Sequence, residues 1–165
     1  MPRFLRGIAI GIIMDNLTRI ASFSVNHDNI TEGIYISRVD GDITTYDMRT
    51  RRPNMGEYMD NLTMHSVEHL FATYIRNSEI SEKVIYFGPM GCQTGFYLLV
   101  RSAPCEKVLE NVIKTLEKII GHEGDMPGAK REECGNYKNL STDAAKEECK
   151  RYLAVLQNKT NDFKY

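Results

Sequence analysis

The chain has 165 residues, 42% of them hydrophobic and 26% charged, which lies in the range where one domain encloses a core without disulfide or metal staples. Its 21 Lys plus Arg are balanced by 22 Asp plus Glu, and a net charge of -1 offers no pull towards nucleic acid or anionic lipid. A small neutral or zwitterionic ligand suits it better, and four cysteines without an export signal are expected to be reduced thiols in a cytoplasmic protein.

At the start, Ile8 to Met14 is apolar but is broken by Gly11, and it falls far short of the ~20 residues that span a bilayer. Arg3 and Arg6 precede it, yet no small-residue cleavage site follows, so residues 1–20 are read as an N-terminal extension and 21–160 as the domain. Gly33 to Val39 and Asp42 to Thr50 are rich in Ile, Tyr, Val and Thr and predict a hairpin around Asp40-Gly41. Arg49 falls near the end of its second strand. Ser66 to Asn77 spaces Val67, Leu70, Phe71, Tyr74 and Ile75 as one buried face of a helix.

Val84 to Phe87 then predicts a short strand, Gly88 to Gly95 a loop carrying Cys92, and Phe96 to Arg101 a further strand. Ser102 and Pro104 open a second helix that buries Val108, Leu109, Val112, Ile113, Leu116, Ile119 and Ile120 and stops at Gly121. Gly124 to Asn139, with its Gly, Asn and charge, is expected to be irregular and contains Cys134-Gly135. A last helix follows the cap candidates Ser141, Thr142 and Asp143 and runs to about Gln157. The pattern predicts an α+β fold, an antiparallel sheet with helices packed on one face in a two-layer sandwich.

His65 and His69 stand four residues apart, which stacks two imidazoles on one helix face a turn apart, the arrangement that grips one transition-metal ion. Glu68 lies beside them, where a carboxylate can serve as acid or base without being a ligand. The string His65-Ser66-Val67-Glu68-His69 is H-x-x-E-H, which inverted-motif zinc proteases also carry and which an exposed histidine pair would mimic. A catalytic ion usually takes three protein ligands and keeps one position open. Cys134 is the best third donor because it precedes a glycine in an irregular segment, whereas Cys105 and Cys149 fall on predicted helices and read as packing residues. Cys92 sits in Gly88-Pro89-Met90-Gly91-Cys92-Gln93-Thr94-Gly95, whose glycines permit close approach of a ligand to backbone. A thiol there acts as a base if partly ionised, or packs as a small hydrophobe.

On these residues the chain resembles the S-ribosylhomocysteine lyases of the LuxS family. The matches are Ser22-Phe23, Asn26-His27, Tyr46-Asp47-Met48-Arg49, Arg52-Pro53-Asn54, His65 to Leu70, Pro89 to Tyr97 and Cys134-Gly135. Nothing before Met14 is matched, and a start at Met14 would give a typical family N-terminus. The resemblance implies one divalent ion per subunit, iron(II) with zinc as the alternative, on His65, His69 and Cys134. It implies cleavage of S-ribosylhomocysteine to homocysteine and 4,5-dihydroxy-2,3-pentanedione, precursor of a bacterial quorum-sensing signal, by two sugar isomerisations and an elimination. Cys92 and Glu68 would move protons and Arg49 would hold the sugar and keep Cys92 ionised. Ser22, His27, Tyr86 and Phe87 would contact substrate. Tyr86 stands where the family commonly has Asp, and Asn26 replaces a frequent Asp. Family members are homodimers with sites at the subunit boundary, so the same assembly is expected, with no membrane or nucleic-acid partner.

Two rival readings remain at this point. An inverted-motif protease would require a carboxylate as third ligand. A structural zinc site would close a fourth position with Cys92 and leave Glu68 and Arg49 without a role.

Overall fold

A computed structural model describes residues 17–165; the apolar stretch Ile8 to Met14 and most of the expected extension lie outside the described residues. Four strands, β1 (Gly33–Asp40), β2 (Ile43–Arg49), β3 (Val84–Pro89) and β4 (Gly95–Arg101), form a single sheet in the order β1-β2-β4-β3, antiparallel throughout. Three helices, α1 (Asn61–Ile75), α2 (Cys105–Ile120) and α3 (Thr142–Gln157), pack on one another, with α1 against β3 and α3 against β1. The expected α+β class with an antiparallel sheet is what the chain adopts.

Side chains alternate across a strand, and this period of two sorts the sheet into unlike faces. Tyr46 and Met48 of β2 and Phe96, Leu98 and Val100 of β4 enter the core, where they meet Val67, Leu70 and Phe71 of α1 and Val112 and Leu116 of α2. Phe87 stacks between Phe71 and Phe96, with ring centroids 4.3 Å and 5.0 Å away. Each large apolar side chain buried in this way contributes roughly 1.5–3 kcal/mol. Asp47 and Arg49 of β2 and Tyr97 and Leu99 of β4 occupy the alternate positions, on the face turned away from the helices.

Boundaries differ from the sequence reading at several points; β4 begins at Gly95 rather than Phe96, and α1 ends at Ile75 rather than Asn77. The hairpin loop is Gly41-Asp42 rather than Asp40-Gly41, because Asp40 pairs with Ile43 and the φ of +61° falls on Gly41 at the first loop position, where glycine meets no steric penalty. The strand β3 runs on through Pro89. The helix α1 starts at Asn61 instead of Ser66, since Asp60 caps it by accepting the Thr63 N–H at 2.7 Å. That places His65 well inside a formed helix. The ends of α2 at Pro104 and Gly121, and the Ser141 cap of α3, fall where the sequence placed them. The stretch 158–165, for which the sequence predicted no element, returns along β1, where the Ile36 N–H donates to the Phe163 carbonyl at 2.9 Å and so occupies an otherwise free strand edge.

Asp60→Ala should lower stability by about 0.5–1 kcal/mol at neutral pH, at the low end for a cap because the site is exposed. Bonds from Thr63 hold the Asp60 carboxyl below the usual aspartate range, so its contribution is present above the ordinary carboxylate pKa and fades as pH falls through the depressed value. Urea unfolding of both proteins at neutral and acid pH should show the gap between them closing in acid.

Candidate active site

The helix α1 presents His65, Glu68 and His69 on one face, and the irregular segment 124–139 folds across that face. His65 Nδ1 lies 2.8 Å from the Asn139 carbonyl and His69 Nδ1 lies 2.8 Å from the Pro127 carbonyl. A carbonyl only accepts, so each Nδ1 carries the proton and each Nε2 is left as a lone-pair donor. The rings meet edge to face at 4.6 Å, and Cys134 Sγ lies 3.3 Å from His65 Nε2. Ligand atoms of His65, His69 and Cys134 all fall within 4.8 Å of one another. The Asn136 N–H donates to Cys134 Sγ at 3.4 Å.

Backbone bonds turn the Cys134 segment, where the Glu133 and Cys134 N–H groups both donate to the Lys130 carbonyl at 3.0 and 3.1 Å. The side chain of Asn139 donates to Asn61 Oδ1, and the Ser141 N–H donates to Ser66 Oγ, so the end of the segment that follows Cys134 is fastened to the first turns of α1 around His65. Gly128 passes directly beneath His69 with φ +71°, and a Cβ there would stand 2.9 Å from His69 Nδ1. Glu68 is half-buried and lines a cavity of about 200 Å³ with His65, Asn61, Met64, Pro89 and Asn136.

Cys92 belongs to a second cluster. Its turn closes through the Gln93 N–H to the Met90 carbonyl at 3.0 Å, with Gln93 at φ +64°, and leaves the thiol exposed. Arg49, only 2% exposed, directs Nη1 to Thr94 Oγ1 at 2.6 Å and to Cys92 Sγ at 3.8 Å, and Nη2 to Asp47 Oδ2 at 2.5 Å. Burial opposes the Arg49 charge, but Asp47 and Cys92 outweigh it and raise its pKa above the ordinary arginine value. His27 faces Cys92 across a cavity of about 240 Å³ that Tyr58, Asn54 and Thr94 also line. Ser22 and Tyr86 share a third cavity with Tyr97 and Leu99 on the open face of the sheet.

The expected residues therefore fall into three groups, with His65, His69, Cys134 and Glu68 in one, Cys92, Arg49 and His27 in the next, and Ser22 with Tyr86 in the last. Phe87 joins none of them, because its ring is stacked in the core and leaves only main chain to face a ligand. Asp47, Thr94, Gly128 and the carbonyls of Pro127 and Asn139 were not picked out from sequence. The two-residue spacing of Asp47 and Arg49 on one strand face was the available signal for the first. The carbonyls had none, being main chain.

Two imidazole nitrogens with fixed tautomers, one sulfur that accepts an N–H and a carboxylate alongside define an α+β protein with a ligand group suited to a single transition-metal ion. A family model described as S-Ribosylhomocysteinase (LuxS) matches residues 20–162, and the chain belongs to that family. It is 41% identical over 156 residues to the S-ribosylhomocysteine lyase of Borrelia garinii subsp. bavariensis, covering 90% of this chain and 99% of that protein. The S-ribosylhomocysteine lyases of Finegoldia magna and Clostridium beijerinckii are also 41% identical, covering 86% and 83% of this chain and 94% and 90% of theirs.

Gly128→Ala should weaken binding of a transition metal about 10- to 100-fold by displacing the His69 ring from its carbonyl. Competition with a chromogenic chelator measures it, and a circular dichroism spectrum identical to the parent's shows that the fold is kept.

Proposed function

We propose that the protein is a metal-dependent lyase that splits the thioether of S-ribosylhomocysteine into homocysteine and 4,5-dihydroxy-2,3-pentanedione. The observation that carries this reading is that, among the described residues, the ligand group comprises three donors, while the fourth candidate sulfur, Cys92, is an exposed thiol held by a buried arginine. A sealed structural zinc site would draw Cys92 in, and an inverted-motif protease would place a carboxylate where Cys134 stands.

The donor set of two nitrogens and one sulfur fits iron(II) or zinc, one ion per subunit. When bound, the ion stabilises negative charge that develops on the sugar oxygens. The chain's own groups handle the protons. Moving the carbonyl from the first ribose carbon to the second and then the third requires a proton to leave one carbon and return to its neighbour at each step. Cys92 performs these transfers as a thiolate favoured by the Arg49 guanidinium. With the carbonyl on the third carbon, removal of the proton from the fourth expels the homocysteine sulfur from the fifth. Glu68, half-buried beside the ligand group, serves this elimination and protonates the leaving sulfur.

His27 and Ser22 bind the ribose hydroxyls and Arg49 holds the sugar. Tyr86 lies towards the amino-acid end, where it offers a neutral hydroxyl and ring to the substrate ammonium. The pentanedione is the precursor of a bacterial quorum-sensing signal, and the reaction takes place in the cytoplasm. Among the described residues no helix is long and apolar enough to cross a membrane.

We further infer that the active unit is a homodimer with sites at the boundary. The Cys92 cluster and the Glu68 cavity are lined by different residues, the first built on Arg49 of the open sheet face and the second on α1 of the covered face. A second copy seated on the open face, where Ile20, Tyr86, Tyr97 and Leu99 lie without helical cover, brings one chain's thiol to the other's carboxylate.

Cys92→Ala should retain metal and release less than about one-hundredth of the parent's homocysteine, detected as free thiol from S-ribosylhomocysteine, and Glu68→Gln should behave likewise. Metal lost together with Cys92 would instead indicate a structural site. Mixing these two inactive variants and allowing subunits to exchange should recover about a quarter of the parent activity, the yield of random pairing in a two-fold dimer. No recovery would place thiol and carboxylate in one chain's site.

A further inference from the structure

One group that reaches the Cys92 cluster comes from a segment to which the reaction assigns no part. Beyond α3, Tyr165 stacks its ring on Tyr35 with centroids 4.8 Å apart and planes 14° from parallel. Its hydroxyl donates to Asp47 Oδ2 at 2.9 Å. The same oxygen accepts Arg49 Nη2, and Arg49 Nη1 reaches Thr94 and Cys92, so a continuous series of polar contacts runs from Tyr165 to the thiol. Asp47 is 1% exposed and Arg49 2%, yet Asp47 Oδ1 and Arg49 Nε lack a hydrogen-bond partner among the described residues. A buried ion pair short of partners depends strongly on each contact that remains.

We propose that Tyr165 is a positioning residue for Cys92, acting through Asp47 and Arg49 to sustain the thiolate. The direction follows from simple electrostatics. Arg49 favours negative charge on the sulfur, and the Asp47 carboxylate behind it works against that influence. A donor on Asp47 offsets part of the opposing charge and holds the carboxylate in line with Nη2. The remaining groups that face Cys92 are Thr94 beside it, Tyr97 on β4, and His27 and Tyr58 across the cavity. Burial and the nearby Asp47 raise the Tyr165 pKa, so the hydroxyl stays protonated and donating through the neutral range.

This inference rests on the reading of Cys92 as a proton-carrying thiolate. Tyr165→Phe in the metal-loaded full chain keeps the ring and removes only the donor. Alkylation of Cys92 by iodoacetamide, followed by mass spectrometry of its peptide across the neutral pH range, reports the thiolate directly. The midpoint should move up by about half a pH unit, seen as roughly threefold slower alkylation on its acid side, and the acid limb of kcat/KM should move with it. Tyr35→Phe, which leaves the Asp47 contact in place, should keep the parent midpoint. An unmoved midpoint in Tyr165→Phe with only a lower melting temperature would make the residue a strap and overturn the proposal, as would a midpoint that moves down or an equal shift in Tyr35→Phe. A Cys92→Ala variant with full turnover would instead sink the thiolate reading while leaving the alkylation result standing, so the two failures are told apart.

Discussion

An imidazole has two nitrogens, and in this protein one nitrogen of each motif histidine is committed to a main-chain carbonyl. Those two bonds, to Asn139 and Pro127, determine which nitrogen faces the third donor and how each ring is turned. They also hold the long irregular segment 124–139 against α1. Without them the segment would keep its ties from Asn139 to Asn61 and from Ser141 to Ser66 but would lose its direct bonds to the two rings, and with few large apolar side chains buried it has little packing to replace them. The ligand group and the order of residues 124–139 are therefore one structural event, and a metal bound there would be coupled to local folding.

The sheet provides the second organising element. Because its strands alternate in sidedness, one face carries the hydrophobic core and the other carries Asp47, Arg49 and Tyr97, which surround a thiol at the strand turn. A buried ion pair on the open face is costly to form, and here it is retained where it aims a guanidinium at sulfur. The helix face offers a carboxylate and metal donors, and the open face offers a thiol and a cation. The proposed reaction, in which a sugar loses and regains protons at successive carbons, calls for both kinds of group, and the proposed dimer would supply them together across its boundary.

Much of this was legible in the residues, and the exceptions have physical causes. The helices α2 and α3 were bounded closely because Pro104, Gly121 and Ser141 are strong terminal signals. The start of α1 was not, because Asn61, Thr63 and His65 are polar in its first turns and only Asp60, a lone cap candidate, marked the beginning. Cys134 converges with His65 and His69, three donors chosen from spacing, flexibility and the exclusion of helical cysteines. Their orienting partners left no trace in residue identity. Asp47 could be placed on the Arg49 face by strand alternation, but its contact with Tyr165, 118 positions away, depends on the path of the chain after α3 and on nothing local.

The use of carbonyl oxygens to orient the rings constrains the chain in an unusual manner. Every residue carries such an oxygen, so positions 127 and 139 are free to vary in identity as far as this task is concerned. What cannot vary is the spacing. Adding or deleting a residue between them would carry one acceptor out of register with the other, so that both could not meet their rings on α1. Divergent homologues are accordingly expected to vary in identity at positions 127 and 139, to keep the glycine at 128 and the cysteine at 134, and to differ hardly at all in the length of chain between the two acceptors.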